Sequence, residues 1–179
     1  MTDTPRLGPL TDADWPAEIE NLRDGFAGAL NVYRTMAHNP ALVRAWAPLR
    51  QHLVKDSALT PQQSEVVILR TGVRVDSDYE WAHHVSRGRA VGMSDDRILA
   101  VRDGGLPEDQ LLIQAVDRIL DDRMLPADLE AELAETYGTG AIFDIIATVG
   151  FYHTLGTILR TYEVPLDDAV AQEMRDAPL

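Results

Sequence analysis

Residues 59–98 read LTPQQSEVVILRTGVRVDSDYEWAHHVSRGRAVGMSDDRI, and their pattern decides the fold. Thr60, Pro61 and Gln63 form a helix start: a hydroxyl to cap free N–H groups, a proline where no N–H is missed, and an amide that returns the bond. Val66, Val67, Leu69 and Val73 then carry an apolar helix over residues 61–74. After a short turn, Ser77 and Glu80 repeat the capping-box pattern, and Asp78 and Glu80 suit the positive end of a helix dipole. This second helix covers residues 78–90 and directs Trp81 and Val85 to the core. Gly92 closes it where a left-handed residue is wanted. Two such helices joined by a tight turn make an antiparallel hairpin.

Helical spacing continues on both sides. Upstream, Ile19, Leu22, Phe26 and Leu30 recur every three or four residues, with Gly25 and Gly28 as breaks. Asn39 and Pro40 form a turn, and Leu42, Trp46, Leu49 and Leu53 then make an apolar stripe. Downstream, Ser94 caps a short helix and Pro107 opens one that ends near residue 121. Another begins near Pro126 and stops before Gly138. The longest covers about 140–162, Pro165 ends it, and a short tail helix follows. No segment alternates apolar and polar residues as a half-buried strand would. The expectation is an all-α bundle of eight to ten helices. It forms a single domain over residues 16–179, with its core at about 40–125 and a flexible N-terminus over 1–15.

Composition removes several function classes. Of 179 residues, 45% are hydrophobic, enough for a real core, and 16 basic against 29 acidic residues give a net charge of −13. A nucleic-acid surface needs clustered Lys and Arg, so that partner is not expected. The chain has no cysteine. Disulfides, thiolate catalysis and Cys-based zinc sites are therefore excluded. The first residues lack the basic and apolar regions of a signal peptide, and no run of 18 apolar residues occurs. The nearest approach, residues 140–159, contains Asp144 and His153 and reads as a core helix. A cytoplasmic protein without a membrane partner is expected.

The hairpin concentrates the chemistry. Glu80 and His83 stand at the i, i+3 spacing of di-iron bundles, but such sites need a second Glu-x-x-His and two more carboxylates. The HExxH zinc pattern is absent too, so neither metal nor cofactor is expected. An acid–base pair is the alternative. Glu65 lies about 16 Å from the turn along one helix and His84 about 12 Å along the other, at ~1.5 Å per residue. The two levels are close enough for the side chains to meet and share a proton near neutral pH.

The same residues carry a family resemblance. The segment 59–98, and above all its YEWAHH…A…G portion, resembles the core motif of the carboxymuconolactone decarboxylase-like family within the alkylhydroperoxidase D-like superfamily. NVYRTMAHNPALVRAW before it and VGFYHTLGTILR after it extend the likeness to about residues 26–164. The resemblance implies an all-α bundle of the alkylhydroperoxidase D-like type with an N-terminal helical extension. It implies a homo-oligomer, a trimer or hexamer with a dimer as another option, and an active site at the hairpin. In the redox branch a Glu precedes a Cys-x-x-Cys and a His; these fall on Glu65, Ser77 and Glu80, and His84. With no sulfur at Ser77 and Glu80, thiol peroxidase chemistry is disfavoured. The decarboxylase branch implies acid–base work on a small carboxylate or lactone from aromatic catabolism.

On that basis His84, Glu65 and Glu80 are the catalytic candidates. Arg70, Arg74 and Arg87 are candidates for binding a substrate anion, with surface solvation accounting for at least two of them. Tyr79, His83 and His153 are further substrate-binding candidates. His38 and His52 read as ordinary residues, and Asp144 needs a partner if buried. A non-catalytic binding or assembly protein on the same fold is the competing reading.

Overall fold

The computed structural model describes residues 7–179, and among them are ten α-helices and no strand. In chain order these are α1 (Phe26–Ala29), α2 (Asn31–Met36), α3 (Pro40–Gln51), α4 (Pro61–Arg74) and α5 (Asp78–Ala90). Then follow α6 (Asp95–Ala100), α7 (Gln110–Asp122), α8 (Ala127–Tyr137), α9 (Thr139–Tyr162) and α10 (Asp168–Asp176). The all-α expectation therefore holds.

The hairpin forms as its caps dictate. Thr60 accepts from Gln63 N–H, and the Gln63 side chain accepts from Thr60 N–H at 2.9 Å. Ser77 caps α5 by accepting from Glu80 N–H, but the Ser77 N–H donates to Gly72 O at 3.0 Å. The second capping box is thus half-made, and the Glu80 carboxyl is not spent on it. Gly72 is the point of closest helix approach: a Cβ there would lie 3.3 Å from the Glu80 Cβ. Gly92 takes φ 85°, the left-handed C-terminal conformation its residue type favours.

The helix α9 runs through the middle and packs on α4, α7 and α8. With α4 it feeds two apolar clusters. One is built from residues such as Val66, Leu69, Val85, Leu112, Leu133 and Ile145. The other gathers Ile19, Val43, Leu53, Ile68, Phe151 and Leu155. Burying each such side chain contributes roughly 1.5–3 kcal/mol, which is what fixes α4 and α5 as a rigid platform. By length and composition alone α9 would reach across a membrane, yet 56% of its most apolar window is buried inside the protein. It fills the role of a core helix.

Three local expectations change. The stripe on α3 is offset: Leu42 and Leu49 are exposed, while Val43 and Leu53 are buried and Trp46 packs 4.4 Å from the Phe151 ring. The inward positions are 43, 46, 50 and 53, so Arg50 faces in with them. The segment before α3 is broken into a 3-10 turn (Ala17–Leu22) and the short α1 and α2. Gly28 enforces a break, since a Cβ there would meet Arg23 O at 1.9 Å. Finally, the flexible N-terminus expected over residues 1–15 falls partly on residues 1–6, outside the described residues. The remainder is tied down: Leu10 N–H donates to Arg34 O, Arg34 donates to Leu10 O and Asp12, and Trp15 is buried.

Candidate active site

Glu65 enters from α4 and His84 from α5, and the hairpin register brings them together. His84 Nδ1 donates to Glu65 Oε2 at 2.6 Å, and both residues are buried. That bond fixes the tautomer and leaves Nε2 with its lone pair. Glu80, one turn before His84 on α5, places Oε2 3.5 Å from Nε2. The imidazole is therefore flanked by a carboxyl on each side. The Tyr152 ring from α9 meets it edge-on, with centroids 5.0 Å apart, and holds its plane.

Burial sets the protonation pattern. Desolvation pushes the Glu80 carboxyl up to about 8, with Arg87 pulling it down and Glu65 adding to the rise. Its Oε1 is buried with no hydrogen-bond partner. Desolvation also holds the His84 imidazole below its usual range, outweighing the attraction of Glu65. At neutral pH the arrangement is a neutral carboxylic acid facing a neutral imidazole, whose far nitrogen is bonded to a carboxylate. Such a set can donate one proton and accept one without building net charge.

Two neighbouring spaces border this set. A groove of about 570 Å3 is walled by Leu53, Val54, Leu59 and Ile68, with Glu65, His84 and Arg87 reaching it. A small space of about 30 Å3 is lined by Tyr33, Arg50, Tyr79, Glu80 and His83 among others. Val54, His84, Arg87 and Tyr152 border both. Among the described residues, no group of three His, Cys, Asp or Glu is arranged to hold a metal ion.

The sequence model of the Carboxymuconolactone decarboxylase family matches residues 40–108, the stretch that carries Glu65, Glu80 and His84. Over that stretch the chain is similar to this family. Solved structures with the same fold include the debrominase Bmp8, at 15% identity and TM-score 0.74 over 98% of this chain and 99% of that one. An uncharacterized peroxidase-related protein from Ralstonia eutropha JMP134, described as an alkylhydroperoxidase AhpD core, matches at 19% identity and TM-score 0.76 over 93% and 96%. A further peroxidase-related protein, from Silicibacter sp. TM1040, matches at 14% identity and TM-score 0.77 over 95% and 97%. A Cys→Ala variant of the debrominase was solved with 2,3,4-tribromopyrrole. No curated protein sequence matches the chain.

Within this fold, several of the sequence candidates sit away from the His84 set. Arg70 grips Asp117 with two bonds of 2.7 and 2.8 Å and also donates to Val101 O and Arg102 O. Arg74 bonds Asp117 and Asp121. Both tie α4 to α7 and neither reaches the groove, so they are not anion-binding residues of the site. They are ion-paired rather than merely solvated. His153 is exposed on α9 and borders a separate shallow surface with Arg74 and Arg160. Only its neighbour Tyr152 turns inward. The difference is one helix step of about 100°, which periodicity in an apolar helix does not resolve.

Tyr79 and His83 do line the small space, but their polar atoms are committed elsewhere. His83 Nε2 lies 2.7 Å from Asp167 Oδ2, and Nδ1 donates to Tyr79 O at 2.9 Å. Tyr79 donates to the same Asp167 oxygen at 2.6 Å, and the two rings stack at 3.8 Å. Asn31 N–H completes the set on Asp167 Oδ1. The result is a latch that fastens the segment before α10 to α2 and α5. His83 and Tyr79 therefore support the site and have no polar atom left for a substrate.

His52 is not ordinary. Its Nε2 lies 2.7 Å from Asp144 Oδ1, while Ser57 Oγ and Ala58 N–H donate to Oδ2. Asp144 thus has its partners, and it anchors the π-helical turn His52–Asp56 that walls the groove. Arg50, Tyr33, Asp167 and Tyr152 are the site residues that sequence candidates left out. The first two lie before the hairpin: Arg50 falls outside the quoted likeness, and Tyr33 falls within it with no role attached.

Proposed function

We propose that this protein is a cofactor-free acid–base enzyme acting on a small carboxylate or lactone, by decarboxylation or proton-transfer isomerisation. The observation that carries the reading is His84, flanked by Glu65 and Glu80 and bordering a 570 Å3 groove. In a decarboxylation, the bond from the carbon skeleton to the substrate carboxylate breaks and CO2 leaves. Its electron pair passes into the conjugated carbonyl as a dienolate. One proton must then be delivered to carbon. Glu80 supplies it through His84 Nε2, and solvent restores it. Glu65 holds the Nδ1 proton and keeps Nε2 aimed at the reacting atom. Arg87, one turn beyond His84, holds the substrate anion.

The open groove speaks against the binding-protein reading, which a filled space beside His84 would have favoured. Thiol peroxidase chemistry stays disfavoured, and a route through a nucleophilic cysteine has no residue to use. The reading includes a homo-oligomer: Phe143 and Ile146 are exposed on one face of α9, and Phe143→Glu is expected to lower the mass measured by light scattering.

The test is CO2 release from small carboxylated lactones. His84→Ala and Glu65→Gln are each expected to lower turnover by about 10²–10⁴-fold, the range for a lost acid–base group. Unchanged turnover in both would remove the assignment.

A further inference from the structure

Arginine use in this chain is lopsided. The sequence holds fifteen arginines and one lysine against 29 acidic residues. Eight arginines form ion pairs with a carboxylate. In so acidic a protein a half-buried guanidinium without such a partner is conspicuous, because removing its hydration without a counter-charge costs free energy. Arg50 and Arg87 are two of these. They come from different helices, α3 and α5, yet both border the same small space beside Glu80 and His84. Neither forms an ion pair among the described residues. The one lysine, Lys55, sits exposed at the mouth of the adjoining groove.

Arg50 is also held in place. It stands on the inward stripe of α3 with Val43, Trp46 and Leu53. Its guanidinium carbon lies 4.3 Å from the Phe26 ring centroid and 5.7 Å from that of Tyr33. Those two rings meet edge-on at 4.9 Å. Cation–π contacts of this kind fix a guanidinium without neutralising it. The charge is left facing the small space. Both Arg50 and Arg87 act on the buried Tyr33 hydroxyl, which places the two cations around one locus.

We propose that Arg50 and Arg87 together form an anion cradle that takes the carboxylate end of the ligand. This deepens, and rests on, the acid–base reading above; it adds Arg50 as a specificity-determining residue that no motif in the chain marks. The volumes fit. A space of about 30 Å3 holds roughly two water-sized groups, the size of a carboxylate head and too small for a ring. The body of the ligand then occupies the groove, with its reacting carbon beside His84. The substrate class follows: an organic acid with an anionic head on a compact apolar body. A neutral lactone or amide of the same shape would leave both cations unpaired and bind weakly.

Acetate is the probe, titrated into the full chain while the Arg Nε–H resonances are followed by NMR. The cradle predicts that Arg50 and Arg87 shift together, saturably and with one affinity, and that acetamide moves neither. Arg50→Gln should weaken acetate binding at Arg87 at least tenfold, whereas Arg50→Lys, which keeps the charge, should retain most of it. His84→Ala should leave acetate binding intact, so loss of turnover with retained binding separates the cradle from the catalytic reading. Absence of a saturable shift in the unaltered protein would overturn the cradle. So would an Arg50→Gln variant that binds acetate as tightly as the parent.

Discussion

His84 Nδ1 and Glu65 Oε2 are 2.6 Å apart although nineteen residues separate them in the chain. The contact exists because two helices, each started by its own cap, return past one another at Gly72. The other ring nitrogen looks at Glu80, whose carboxyl has no bond on its inner oxygen. This asymmetry, a bonded carboxylate on one side and an unsatisfied acid on the other, is what the site offers chemically.

Glu80 is expected to make stability fall as pH rises. Its folded-state value, about 8, lies above the ordinary 4.5, so between those values the folded chain holds a proton that the unfolded chain has lost. Stability therefore declines from about pH 4.5 to about 8, by an amount on the order of a few kcal/mol. Glu80→Gln should flatten that decline and raise Tm at pH 8 more than at pH 5. His84 works in the other direction: burial depresses its value, so stability falls as pH drops below about 6.5. Denaturant unfolding across pH 5–9 measures both slopes.

Asp167→Asn should loosen the latch on His83 and Tyr79. It removes the charge on which His83, Tyr79 and Asn31 N–H converge, at a cost of about 2–4 kcal/mol. Hydrogen exchange should rise first in α10 and at the start of α2. Because the Asp167 carboxyl is held below its usual range, largely by the bonds from His83 and Tyr79 that outweigh its burial, its contribution is present above about pH 4. It disappears as pH falls further.

Arg74→Ala separates structure from function. Arg74 bonds Asp117 and Asp121 across α4 and α7 and does not border the groove. The variant should lose about 0.5–1 kcal/mol of stability and keep the parent's turnover. Arg87→Ala should do the reverse, raising KM with little change in Tm.

The sequence made the hairpin legible because its signals are local. Thr60, Pro61, Gln63, Ser77 and Gly92 each act within one turn of their own helix, and rise per residue puts Glu65 and His84 at similar levels, although it does not set which way they face. What stayed hidden depends on helix rotation and distant contacts. Leu42 and Leu49 look as apolar as Val43, so the inward side of α3, and Arg50 with it, was not apparent. Tyr152 and His153 are adjacent on an apolar helix, and only packing decides which faces the site. Arg70 and Arg74 resemble substrate arginines until Asp117, more than forty residues away, is placed beside them. Asp167 and His52 owe their roles wholly to tertiary neighbours.

The chemistry of the site rests on Glu80 being a neutral acid near pH 7. Infrared difference spectroscopy of the Glu80→Gln variant against the parent tests it without any substrate. A carboxylic-acid C=O band is expected at pH 7 that is absent in the variant and fades in the parent as pH rises through about 8. A carboxylate signature for Glu80 already complete at pH 6 would contradict it.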